Sequence, residues 1–234
     1  MTFTAGASTM AVMQVLPVAA SSALAPVLTG PPRPAVVVAA LPSAVYFSTN
    51  DPTCPAVCVA MSTAVRVPCA AVLSGGLPPL QMGTSAVVGE GGLMVDGVSF
   101  RVARWWRPGR PRLRGFRAAA PPPVEPLLGE GAGLTPYGDD VLAGALVTLA
   151  ALGTAVPSFV DSVLSRAFER TTFVSAALLV HAARGECVPQ LAALLAAVGS
   201  GAPLPVDALL AVGHSSGAGL LEGVRAILPE VAAG

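Results

Sequence analysis

The apolar residues follow two different patterns along the chain. Up to about Arg117 they come in short runs rich in Val, Ala and Thr, broken by Pro and Gly: 35–40, 57–67, 70–73, 84–88 and 93–102. Runs of that length between turn formers predict strands. Inside 93–102, Asp96 and Gly97 lie between a pair of apolar arms and predict a hairpin. Beyond residue 123 the runs lengthen and turn to Ala and Leu, at 139–152, 159–168, 172–183, 189–198, 206–212 and 216–228, with Gly or Pro between them. These predict helices, several of them apolar nearly all round and so destined for burial. The expected fold is α+β. A β-rich N-terminal domain, 1–117, precedes an α-helical, bundle-like C-terminal domain, 118–234, which carries the glycine-rich motifs, with the Pro-rich stretch 118–123 as connector.

Composition narrows the function classes. The hydrophobic set makes up 53% of the 234 residues and charged residues 11%, which excludes an intrinsically disordered chain. Thirteen basic residues balance thirteen acidic ones, so no global charge draws the protein to nucleic acid or anionic lipid. Every basic residue is Arg. The absence of Lys removes Schiff-base and P-loop lysine chemistry. The four cysteines, Cys54, Cys58, Cys69 and Cys187, lack the density of a disulfide scaffold and are expected to be reduced; the Cys54–Cys58 spacing, with both histidines far away, fits no zinc module, and no metal is expected. Residues 1–30 are uncharged, but they have no basic start and are interrupted by Gln14, Pro17, Ser21, Ser22 and Pro26, unlike a signal peptide or a membrane span. The helical runs are too short to cross a bilayer, and a cytoplasmic location is expected.

Three motifs carry candidate chemistry, all at predicted helix starts. Residues 129–140 read G-E-G-A-G-L-T-P-Y-G-D-D. Glycines at Gly129, Gly131 and Gly133 permit positive φ and close approach to a ligand, and the helix start behind them offers unpaired N–H groups to a phosphate or carboxylate; alternatively Asp139 and Asp140 cap the helix and the glycines turn the chain. Residues 213–217 read G-H-S-S-G, where Ser215 and Ser216 suit an N-cap and His214 suits proton transfer or oxyanion stabilisation. A nucleophile elbow is not expected there, because the preceding run is helical rather than a strand. Arg170, Thr171 and Thr172 open the helix that carries Ser175 and His181, and suit either capping or an anion. If these helix starts converge, they form an anion pocket without lysine. Separately, 101–117 packs seven Arg around Trp105 and Trp106, a composition that fits a partner-protein interface better than a nucleic-acid surface.

Taken together and in this order, 131–140 (G-A-G-L-T-P-Y-G-D-D), Thr171-Thr172 with Ser175 and a helix closing at Gly185, and 213–217 with Leu221 and Gly223 resemble the AllH-type family, the H subunit of oxamate carbamoyltransferase from anaerobic allantoin degradation. The resemblance spans roughly 129–223. Ala132, Tyr137 and Gly219 stand where the family pattern carries Pro, Ser and Asp. It implies carbamoyl transfer between oxamate and carbamoyl phosphate, making or consuming oxalurate, within purine (allantoin) catabolism. It also implies a hetero-oligomer with two other subunits and no cofactor. On that footing Gly131, Gly133, Thr135, Gly138, Asp139, Thr171, Thr172, Ser215, Ser216 and Gly217 are expected to bind the small anionic substrates, and His214 and Asp140 to carry the catalysis. A non-catalytic assembly subunit, or a small-anion-binding protein, docking partners through 101–117 is the alternative expectation.

Overall fold

The computed structural model describes residues 13–232; the start of the uncharged N-terminal stretch, 1–12, lies outside the described residues. The first half is a closed eight-stranded barrel: β1 (Gln14–Ser21), β2 (Arg33–Leu41), β3 (Ala44–Ser48), β4 (Ala56–Met61), β5 (Ala70–Leu73), β6 (Ser85–Gly89), β7 (Gly92–Val95) and β8 (Val98–Trp106). Around the barrel the order is β1-β5-β4-β3-β2-β6-β7-β8, and a parallel ladder between β8 and β1, from Gln14↔Val98 to Ser21↔Trp106, closes it. Closure leaves no unpaired strand edge. A 3-10 turn (Ser22–Leu24) and the short helix α1 (Ala25–Leu28) follow β1 and bury Leu24, Val27 and Leu28.

The expected hairpin forms between β7 and β8. Asp96 and Gly97 have φ of 46° and 74°, the pair of positive values a two-residue type I′ turn requires. The run expected at 57–67 instead ends as strand β4 at Met61. Since β4 and β5 pair in parallel, residues 62–69 must return alongside them, and they become a section of a cavity wall.

Among the described residues the second half has six α-helices, α2 (Tyr137–Leu152), α3 (Pro157–Arg170), α4 (Phe173–Ala183), α5 (Pro189–Ser200), α6 (Val206–Leu210) and α7 (Ser216–Ile227), followed by a 3-10 turn (Pro229–Ala232). The bundle-like arrangement expected for them is overturned. The structure is α+β with a closed barrel, but its helices form no clear bundle: α2 packs against both α7 and α4, α3 lies on α4, and α5 and α6 continue toward α7. The reason lies in what covers the all-round apolar helices. β3, β4 and β5 are buried on both faces, whereas β2 and β6 alternate between buried and more accessible positions, so one side of the barrel is covered. The cavity there has walls from β3 and the 62–69 return on one side and from α2, α4 and α7 on the other. An apolar helix surface does not reveal whether a helix or a sheet will cover it.

Between barrel and helices, residues 107–136 have no strand or helix and are tied down by backbone hydrogen bonds. Gly109 bridges Cys187, the Leu113 N–H donates to Ala151 at 2.8 Å, and the Ala119 N–H donates to Ile227 at 2.9 Å.

Glycine also sets the α2–α7 crossing. A Cβ at Gly223 would enter the Val141 carbonyl oxygen and come within 2.7 Å of the Ala145 nitrogen, and one at Gly219 would lie 2.7 Å from Asp140 Cβ. The start of α7 is thereby pressed against the start of α2.

Candidate functional site

Three distant helix starts do converge. The Thr135 and Ser216 hydroxyls, just before α2 and at the first residue of α7, are hydrogen-bonded at 3.0 Å. Thr172, the N-cap of α4, accepts the Ser175 N–H at 3.1 Å and donates its own hydroxyl to the Leu134 carbonyl at 2.5 Å. Asp139 joins the segments. Its Oδ1 accepts the Gly129 N–H at 2.8 Å, and its Oδ2 accepts the hydroxyls of Ser175, at 2.6 Å, and Thr171. The carboxylate is buried and saturated with donors, so it acts as a clasp between the glycine-rich loop and α4. Asp139→Ala would orphan one N–H and two hydroxyls, and is expected to cost about 2–5 kcal/mol, read as a lower urea midpoint with unchanged slope.

The adjacent Asp140 has a different environment. It is 8% exposed, and its Oδ2 has no hydrogen-bond partner although fully enclosed. Burial pushes its carboxyl up to about 7; the neighbouring Asp139 charge adds to this, while the Ser216 and Thr135 hydroxyls pull the other way. Asp140, Thr135, Ser216 and Gly213 line one cavity of about 200 Å³. Its remaining wall is mainly apolar, with Leu134, Val147, Leu178 and Leu220 from the helical half and Tyr46, Val65 and Val67 from the barrel half. A cavity of this kind, apolar with a few polar groups together, is the usual form of a small-molecule site. The helix-start motifs pointed to Asp140, Thr135 and Ser216; they did not point to the barrel residues, whose loop reads as strand.

A second polar group on the same wall has no counterpart among the expected site residues. Glu186 lines the cavity and receives the His181 Nδ1–H at 2.6 Å and a guanidinium N–H of Arg110. Burial alone would raise this carboxyl, but the His181 and Arg110 hydrogen bonds outweigh it and hold Glu186 below the usual range. His181 is fully buried, and with Nδ1 donating to the carboxylate its Nε2 has no partner. The arrangement comes from the end of α4. Gly185, at φ 74°, donates to Ala182, and Glu186 donates to His181, the hydrogen-bond pair of a Schellman turn that folds residue 186 back onto 181. A histidine three residues before a helix-ending Arg-Gly-Glu was the available signal.

Other predicted residues fall elsewhere. Gly131 and Gly133 sit in an exposed loop at φ of 110° and 102°. Gly138 and Gly217 are packing positions whose Cβ would strike the Leu127 and Leu209 carbonyls. Ser215 precedes α7 without capping it through its side chain, and His214 is exposed and does not belong to the cavity lining. All four cysteines are buried and free. In the Arg/Trp segment, Trp106 donates its indole N–H to the Ala19 carbonyl at 3.1 Å under the Arg66 guanidinium, whereas Trp105 is 43% exposed. No helix among the described residues is long and apolar enough to cross a membrane.

Neither the curated proteins nor the solved structures contain a match to the chain. A family model does match, over the region that holds the helix starts, the Asp139 clasp and Asp140. Residues 127–228 match the family described as oxamate carbamoyltransferase subunit AllH.

Proposed function

We propose that the chain works as a subunit of a carbamoyltransferase acting on oxamate or oxalurate and carbamoyl phosphate, and that the Asp140 cavity receives the amide-bearing substrate. The observation that carries this reading is the buried Asp140 carboxyl, with its Oδ2 unpartnered, beside two paired hydroxyls on a cavity of substrate size. The family match over 127–228 supports it independently.

In this reading the ionised Asp140 accepts the proton lost when the oxamate amide nitrogen attacks the carbamoyl carbon. A C–N bond forms, the carbamoyl C–O bond to phosphate breaks, and phosphate leaves. Thr135 and Ser216 give hydroxyl donors to the oxyanion of the tetrahedral intermediate, with the α7 N-terminus behind them. The apolar wall excludes water that would otherwise compete as acceptor. Asp140 takes the proton-transfer role rather than His214, because it lines the cavity and its carboxyl titrates near neutrality, as a general base requires. Asp139, Thr171 and Thr172 hold the pocket together through one another and through Leu134.

The test is transfer by the chain assembled with its partner subunits. Thr135→Ala and Ser216→Ala are each expected to lower kcat about 10- to 100-fold, with assembly intact, since each removes a single oxyanion donor. Should both leave kcat unchanged while Trp105→Ala dissolves the assembly, the chain is a non-catalytic docking subunit.

A further inference from the structure

Glu186 also borders a second recess, on the outer side of the Arg110 ion pair. β1 and β8 run parallel and end together at Ser21↔Trp106, so the residues that follow them, Ser22 and Ala23 on one strand and Arg107 on the other, emerge side by side. Arg184, which ends α4, closes the recess from the helical half, and Arg110 lies on its wall. The groove is about 640 Å³.

Its electrostatics are one-sided. Among the described residues neither Arg107 nor Arg184 forms an ion pair, and Arg110 commits one guanidinium nitrogen to Glu186. Among the described residues, Glu186 is the only acidic one on the lining. Three guanidinium groups against one carboxylate leave two unmatched positive charges. The planar guanidinium fork presents five donors, so Arg110 can serve Glu186 and a second anion together, and Arg107 and Arg184 are free to bind bidentately. The Ser22 hydroxyl adds a neutral donor at the rim.

We propose that this groove is a binding site for a phosphate dianion, either inorganic phosphate or the phosphate group of a small phosphorylated metabolite, gripped by Arg107, Arg110 and Arg184. Two unmatched positive charges suit a dianion, and three forks can serve the three clustered oxygens of a phosphate, whereas oxalate, also a dianion, spreads its charge over two carboxylates. The site has only Glu186 in common with the lining of the Asp140 cavity, and it does not depend on the reaction assigned there.

The test is calorimetric titration of the full chain with inorganic phosphate at low ionic strength, with oxalate as the carboxylate comparison. Wild type is expected to bind phosphate saturably, at least tenfold more tightly than oxalate, and more weakly as salt rises. The Arg107→Ala/Arg184→Ala double variant is expected to lose at least tenfold in phosphate affinity with an unchanged circular dichroism spectrum. Asp140→Asn is expected to keep phosphate binding even where transfer is lost, which separates this site from the proposed reaction. A small phosphomonoester that competes with phosphate identifies the phosphorylated-metabolite source; phosphate binding without such competition identifies the free ion. The proposal falls if wild type shows no saturable phosphate binding, if the double variant binds within twofold of wild type, or if oxalate binds as tightly.

Discussion

Asp140→Asn is expected to make the protein inactive and more stable at once. The rate effect follows from removing the proton acceptor: a fall of about 10²–10⁴ in kcat, with loss of the pH dependence centred near 7. Wild-type transfer should rise with pH through about 7, as Asp140 releases its proton, while the variant stays low and flat. The stability effect has the opposite sign. Well below pH 3.8 the Asp140 carboxyl is neutral in both the folded and the unfolded chain and costs nothing. Between its unfolded value of 3.8 and its folded value of about 7 the unfolded chain ionises first, so folding stability drains away as pH rises. Above pH 7 the folded chain carries the whole cost of a buried charge. Asparagine removes that cost, by on the order of 2–4 kcal/mol at pH 8 and by under about 1 kcal/mol at pH 4. Thermal melts of the two proteins at both pH values check this, with the gap between Tm values opening only at the higher pH. An inactive but stabler variant separates a functional carboxyl from a structural one, and contrasts with the loss expected of Asp139→Ala.

The second large effect is expected where α2 and α7 cross. At Gly223 an added methyl would meet only backbone: the Val141 carbonyl oxygen, the Ala145 nitrogen at 2.7 Å and the Gly144 Cα at 2.9 Å. Backbone cannot rotate aside as a side chain can, so the helices must separate. Gly223→Ala is expected to cost about 3 kcal/mol, hence a Tm lower by roughly 6–12 °C, despite the better helix propensity of Ala. Because this seam holds Ser216 beside Thr135, transfer by the folded fraction should also fall. In contrast, Gly133→Ala meets nothing within 4 Å and is expected to be mild, limited to the strain of a side chain at φ 102°. Denaturant titration of the two variants distinguishes a seam from a loop. The same crowding explains Gly219. A carboxylate there would be driven into Asp140, so in this chain the position admits only hydrogen.

Most of the helices were readable because their runs are long and end at Gly or Pro; α5, for example, starts at Pro189 and ends before Gly201 in the left-handed conformation. The β7–β8 turn was readable from Asp96-Gly97 alone. Two strands were not. β1 contains Pro17 and mostly small residues, and it reads as an interrupted apolar stretch; closure of the barrel by the β1–β8 ladder is information held between segments more than eighty residues apart. β3 is five residues long and buried throughout, and so shows no alternation. The bundle expectation failed for a related reason, since apolar surface on α2 and α4 says that something covers it but not what. In the candidate site, residue types at helix starts singled out Thr135, Asp140 and Ser216. The roles of the two adjacent aspartates, one clasped and one with an unpartnered oxygen, depend on donors that include the Thr171 and Ser175 hydroxyls, far along the chain. Glu186 escaped notice because its meaning lies in a helix-ending turn that brings it back to His181.

The most direct measurement is a crystal structure of the chain soaked with oxamate near pH 6, where Asp140 holds its proton and does not repel the anion. The account predicts oxamate in the cavity between the starts of α2 and α7, within hydrogen-bond distance of Asp140, Thr135 and Ser216. Oxamate bound elsewhere while that cavity stays filled with water, or excluded from it at millimolar concentration, would contradict the account.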